Sequence, residues 1–154
     1  MFNLIYRDGA PENTGHYESV PTDGTNTYAL GQAIYLDTAG KAKLCGGTTN
    51  SNKIYGIVAE KKVDGTKVNS VLVLKVEKEM IFKCPIKGTE ANIGKAVKGY
   101  RLSISTDYGS VAASDTTLAT TYVGATVVES LDAKKDGDFI EVRFLNETPT
   151  TAAT

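Results

Sequence analysis

The sequence predicts an all-β protein, a small barrel or sandwich built from two related half-units and carrying an extended N-terminal arm. Three observations support this. The stretch Val68 to Ile86 alternates with a period of two and is rich in β-branched residues, the pattern of strand and not of helix. Short apolar runs recur along the chain, separated by turn signals. A glycine-led pattern in the first half is echoed in the second.

In the stretch Val68 to Ile86 the even positions Leu72, Leu74, Val76, Met80, Phe82, Cys84 and Ile86 are apolar, and only Lys78 departs from the pattern. Fully burying Met80, Phe82 or Ile86 contributes roughly 1.5–3 kcal/mol each, so the even face is expected to be the core face. A one-residue slip would turn Glu77, Glu79 and Lys83 inward, which fixes the register. A bend, bulge or rim position is expected at Lys78, dividing one long bent strand or two strands in series.

Residues 1–28 are read as the arm. They open on an alternating segment, Phe2, Leu4, Tyr6, and then pass through Pro11, Pro21 and several Gly, Asn and Thr without a sustained period. Two readings stand: a frayed tail or first strand followed by a long loop, or an arm that becomes ordered on a neighbouring subunit by adding a strand to its sheet. Residues 29–147 are expected to form the β-domain and residues 148–154 a flexible tail. Within the domain, strands are expected at Ala33 to Leu36, Ile54 to Glu60 and Phe139 to Leu145, with turns at Asp37 to Gly40, Val63 to Thr66, Asp107 to Ser110 and Asp136 to Asp138. Gly46 to Lys53 reads as a polar loop, and only Ala112 to Thr121 as a place for a helical turn.

The echo pairs Leu30-Gly31-Gln32-Ala33-Ile34 with Ile93-Gly94-Lys95-Ala96-Val97. It continues with Tyr55-Gly56-Ile57-Val58 against Val123-Gly124-Ala125-Thr126, and ends with Val71 to Val76 against Phe139 to Phe144.

The 154 residues carry a net charge of −1 with the basic residues scattered, which argues against a nucleic-acid surface. No run approaches the roughly 18 apolar residues of a membrane span, and the N-terminus lacks the layout of a signal peptide, so cytoplasmic synthesis is expected. Cys84 falls on the apolar face and is expected as a buried free thiol; Cys45 is placed at a strand end, and nothing in their placement favours a bridge. The single histidine, His16, has no rigid scaffold around it and reads as a solvated loop residue. Gly46 to Lys53 lacks the Gly-Lys-Ser/Thr of a phosphate cradle. Asp132, Asp136 and Asp138 do not match a calcium loop and read as a hairpin turn. No catalytic, metal or cofactor site is expected, and the protein reads as a non-enzyme.

The pattern Gly-x-Ala-Ile-x-Leu-Asp-x-Ala-Gly at 31–40, followed by Tyr-Gly-Ile-Val-Ala-Glu at 55–60, a turn and an apolar strand, resembles the capsid decoration (cement) proteins of tailed bacteriophages. The resemblance covers roughly residues 30 to 145. It implies a structural virion protein on the capsid exterior that stabilises the shell by bridging major capsid protein subunits, as a homo-oligomer with a trimer favoured. It implies no catalytic residue; no cofactor, nucleic-acid partner or membrane partner is expected. It also makes the arm the capsid-contacting element, with Phe2, Leu4, Tyr6, Tyr17 and Tyr28 as candidate contacts, and a truncation lacking residues 2–28 is expected to keep a folded body. The alternative is a carbohydrate- or receptor-binding β-module of a fibre or surface protein, with Tyr100, Tyr108 and Tyr122 as stacking platforms.

Overall fold

A computed structural model describes residues 1–6, 16–113 and 124–145. The fold is all-β. Among the described residues thirteen strands run in chain order: β1 (Asn3–Tyr6), β2 (Tyr17–Pro21), β3 (Thr27–Ala29), β4 (Ala33–Leu36), β5 (Ala42–Leu44), β6 (Gly56–Val58), β7 (Lys62–Asp64), β8 (Ser70–Lys75), β9 (Ile81–Lys87), β10 (Arg101–Ile104), β11 (Val111–Ala112), β12 (Ala125–Glu129) and β13 (Phe139–Phe144). One-turn helices α1 (Gly47–Asn50) and α2 (Glu90–Ile93) interrupt them, α1 running into a 3-10 turn over Ser51–Lys53.

The strands close into two five-stranded barrels. In barrel 1 the order is β2-β8-β6-β4-β5, and a parallel bridge between Thr22 and Ala42 returns β5 to the end of β2. In barrel 2, β9 pairs with β13, β13 with β12, β12 with β10 and β10 with β11, and β11 returns to β9 in parallel at Ile86 and Val111. Each barrel therefore has the same order and the same single parallel contact. Closure removes the open edges that a five-stranded sheet would expose.

The two half-units also share individual hydrogen bonds. The Gly31 N–H donates to the Val58 carbonyl at 2.9 Å and the Gly99 N–H to that of Val127 at 2.8 Å. The return bonds are Val58 to Gln32 at 2.8 Å and Val127 to Tyr100 at 2.9 Å. Val76 donates to Tyr55 as Leu145 does to Gly124, each at 3.0 Å. Gly31 and Gly99 both sit in the left-handed region, φ +78° and +85°, where glycine avoids the Cβ penalty. The expected echo is thus present with a different register. Gly31 corresponds to Gly99, not Gly94, and Tyr55, not Gly56, corresponds to Gly124. The segment Ile93 to Val97 is no strand: it finishes α2, whose Thr89 side chain accepts from the Asn92 N–H at its start.

The central stretch is two strands, one in each barrel, and Lys78 lies exposed in the turn between them. The even face is the core face in β9, where Phe82, Cys84 and Ile86 are buried, but not in β8. There Val71 and Val73 fill barrel 1, Leu74 packs towards barrel 2, and Leu72 is exposed. The phase changes because the strands belong to different barrels and the turn resets it.

One apolar cluster (Val20, Tyr28, Ile34, Val58, Val71, Val73 and neighbours) fills barrel 1. A second fills barrel 2 and continues across the junction to Ala33, Cys45, Ile54, Ile57 and Leu74 on the outside of barrel 1. The barrels are therefore joined by apolar packing as well as by the chain.

The extended arm expected over residues 1–28 is not an arm in its described parts. On the side of β9 facing away from β13, β11 covers only Ile86 and Lys87, so Ile81 to Lys83 would be an open edge; β1 fills it, with Leu4 opposite Phe82. β2 is a wall of barrel 1, and β3 pairs with β7. The β-domain thus begins with Phe2, not near residue 29, and deleting residues 2–28 would remove part of both barrels. Helical turns lie at Gly47 to Lys53, expected as plain loop, and at Glu90 to Ile93; Ala112 is strand and Ala113 follows it without helix, while residues 114–121 of the expected helical site, like the 148–154 tail, lie outside the described residues.

Candidate functional site

A cavity of about 390 Å³ opens where β1 crosses the outside of barrel 1, lined by Phe2, Leu4, Tyr17, Leu30, Ile57 and Leu74 among others. Register explains the apolar wall. Tyr17 pairs with Leu74 and Leu74 with Ile57, so the three share the outward face of the β2-β8-β6 sheet. Leu72 lies on that face beside them, opposite Ser19. Tyr17 is 49% exposed, Leu30 40% and Leu72 38%, so the cleft has an exposed apolar rim. Isolated exposed apolar side chains are ordinary on protein surfaces, whereas a contiguous set around a concavity marks a contact site.

Of the four candidate arm contacts whose side chains are described, the structure leaves one on the surface. Phe2 is buried, its ring edge-on to Phe144 with centroids 4.9 Å apart. Leu4 is half-buried and packs on the same core. Tyr6 lies in β1 opposite Ile81. Tyr28 is fully buried; its hydroxyl lies 2.8 Å from the Ala42 carbonyl oxygen and 3.0 Å from the Asp23 carboxylate. Tyr17 alone is exposed at the cleft. Leu72 was missed because period-two patterning assigns it to the core face, and Leu30 because the pattern says nothing of a turn residue.

The sugar-stacking platform does not assemble. Tyr100 is a core residue of barrel 2, Tyr108 is half-buried with its ring against Gly46, and Tyr122 lies outside the described residues.

His16 is exposed and its carbonyl accepts from Lys75 N–H. Cys45 and Cys84 are both free and buried. Burial pushes the Cys45 thiol up to about 12 and the Cys84 thiol upward too. Asp136 accepts from the Gly88 N–H, and Asp138 from the N–H groups of Lys134 and Lys135, so this acidic run closes turns. Among the described residues, no three His, Cys, Asp or Glu side chains gather where they could share a metal ion.

Asp23 is a nearly sealed charge, its side chain 1% exposed. It accepts from the N–H groups of Thr25 and Asn26, from the Thr25 hydroxyl and the Asn26 amide, and from Lys43 at 3.0 Å. Burial alone would raise its pKa, but these donors outweigh it and hold the carboxyl far below the usual range. The cluster ties the β2–β3 turn to β5 where barrel 1 closes.

No protein-family model and no curated protein sequence matches the chain.

Proposed function

We propose that the protein is a structural virion component that binds the outside of a bacteriophage capsid and stabilises it by bridging major capsid protein subunits, acting as a homo-oligomer, with a trimer favoured. The supporting observation is the apolar cleft between β1 and barrel 1, with its exposed rim of Tyr17, Leu30 and Leu72. It replaces the arm as the candidate capsid-contacting element. Two closed barrels packed through a common apolar junction make a stiff body, and a stiff body touching several subunits gains from each further contact being intramolecular. The alternative, a carbohydrate- or receptor-binding module, loses Tyr100 as a stacking platform, since it is buried in barrel 2.

The test is a co-pelleting assay with mature, undecorated shells, counting bound copies per capsid subunit. Saturation at a fixed ratio set by the lattice symmetry is expected. Leu72→Glu, which changes an outward residue of β8, is expected to abolish binding with the fold unchanged. Absence of binding by folded wild-type protein would refute the reading, and a glycan array would then take up the alternative.

A further inference from the structure

The matching registers of the two barrels put Val142 where Val73 stands, Arg143 where Leu74 stands, and Thr126 where Ile57 stands. On barrel 1, Ile57 and Leu74 face outward and are buried against the apolar junction and β1. On barrel 2 the equivalent face carries Thr126 and Arg143, and over it lies a second cavity of about 320 Å³. Its walls include Val76, Phe144, Leu145 and Lys78. The Nε of Arg143 is buried and has no hydrogen-bond partner. Glu77 lines the same cavity without bonding to that nitrogen.

A buried guanidinium N–H without an acceptor is costly, and native proteins leave few such groups unsatisfied. We propose that this cavity receives a carboxylate side chain carried on an extended, otherwise apolar polypeptide segment of a protein partner. The guanidinium fork suits a planar carboxylate, and Phe144, Leu145 and Val76 suit its apolar neighbours. A polypeptide is indicated because the equivalent depression on barrel 1 is bordered by one: β1, an extended segment presenting Phe2 and Leu4. The assignment does not depend on the shell-binding reading.

The experiment titrates the full chain, isotopically labelled, with a capped pentapeptide holding one glutamate between valines, followed by NMR. Saturable shifts are expected at the Arg143 Nε–H and at the Thr126 and Phe144 amides. The glutamine version of the peptide is expected to bind at least tenfold more weakly. Arg143→Leu, which gives barrel 2 the residue type of barrel 1, should lose peptide binding while its melting temperature stays equal or rises. Equal shifts with both peptides, or none, would overturn the proposal. So would a fall of several degrees in the melting temperature of Arg143→Leu, which would make the arginine a structural residue. Self-association in the absence of peptide, abolished by Arg143→Leu, would give the cavity to a second copy and overturn it as well.

Discussion

Replacing Asp23 tests how barrel 1 is held shut. Its carboxylate is the acceptor for six side-chain and backbone donors and nearly sealed from water. In Asp23→Ala the two Thr25 donors lie near solvent and regain water, and the Tyr28 hydroxyl keeps the Ala42 carbonyl. The part-buried Asn26 donors do not recover as easily, and hydrogen bonds to a charged group contribute about 1.5–3 kcal/mol each. With partial compensation, a loss of about 3 kcal/mol is expected, read by urea denaturation followed by far-ultraviolet circular dichroism. Asp23→Asn adds a pH signature. The folded carboxyl titrates well below the unfolded value of about 3.9, so its stabilisation is complete above that value and is lost as pH falls beneath it. Wild-type stability should therefore drop towards the Asn variant by about 1 kcal/mol between pH 7 and pH 3. Asp64 and Asp138, also depressed, are common to both proteins and cancel in the difference. A loss under about 1 kcal/mol for Asp23→Ala, or a gap independent of pH, would show that the cluster is solvated and does not hold the barrel.

Three further outcomes are expected. Gly99→Ala should cost about 1–2 kcal/mol for its left-handed backbone alone, since a Cβ there meets nothing within 4 Å; Gly31→Ala should cost clearly more, because its Cβ would also collide with Met1, and equal losses in urea melts would contradict the packing of the N-terminus. Cys45 and Cys84 should resist a thiol reagent at pH 8 and react only on unfolding, because burial keeps both protonated, and rapid labelling of the native protein would contradict that. Thr126→Ile combined with Arg143→Leu should create on barrel 2 an exposed copy of the barrel 1 docking face; increased binding of a hydrophobic dye and concentration-dependent sedimentation are expected, and an unchanged profile would contradict the equivalence of the two faces.

Much of the fold was legible in the sequence because period-two alternation is a local property: β4, β9 and β13 fall where the pattern puts them, with Ile140, Val142 and Phe144 inward. The phase of β8 was not legible, because Leu72 and Leu74 are as apolar as Val71 and Val73, and only the barrel they belong to decides which pair points in. The repeat was legible in kind but slipped in detail. Glycine at 94 ends a helical turn, while the glycine that matters, at 99, matches Gly31 by backbone conformation and by its bond to the facing strand. Phe2 and Tyr28 looked like an arm because the polar segment between them hides the fact that each flank completes a barrel. The cleft was illegible because its wall combines three non-adjacent strands and a turn. Arg143 read as the polar partner in an alternating strand; its buried Nε is a property of the tertiary packing around it.

The matching architecture of the two barrels explains why their outer faces must differ. Identical halves would carry identical docking faces, and a face that joins barrel 1 to barrel 2 within a chain would equally offer barrel 2 to the next chain. Such a contact is heterologous, and unless its rotation closes a ring it propagates into open filaments. In barrel 1 the face keeps Ile57 and Leu74, which the junction buries at 3% and 7% exposure. In barrel 2 the same positions hold Thr126 and Arg143. A hydroxyl and a guanidinium exact a desolvation cost from any apolar surface that tries to dock there. The substitution therefore stops propagation, and it leaves a guanidinium whose inner nitrogen lacks an acceptor. A site that rejects a second barrel for want of a carboxylate is, by the same chemistry, selective for a partner that brings one.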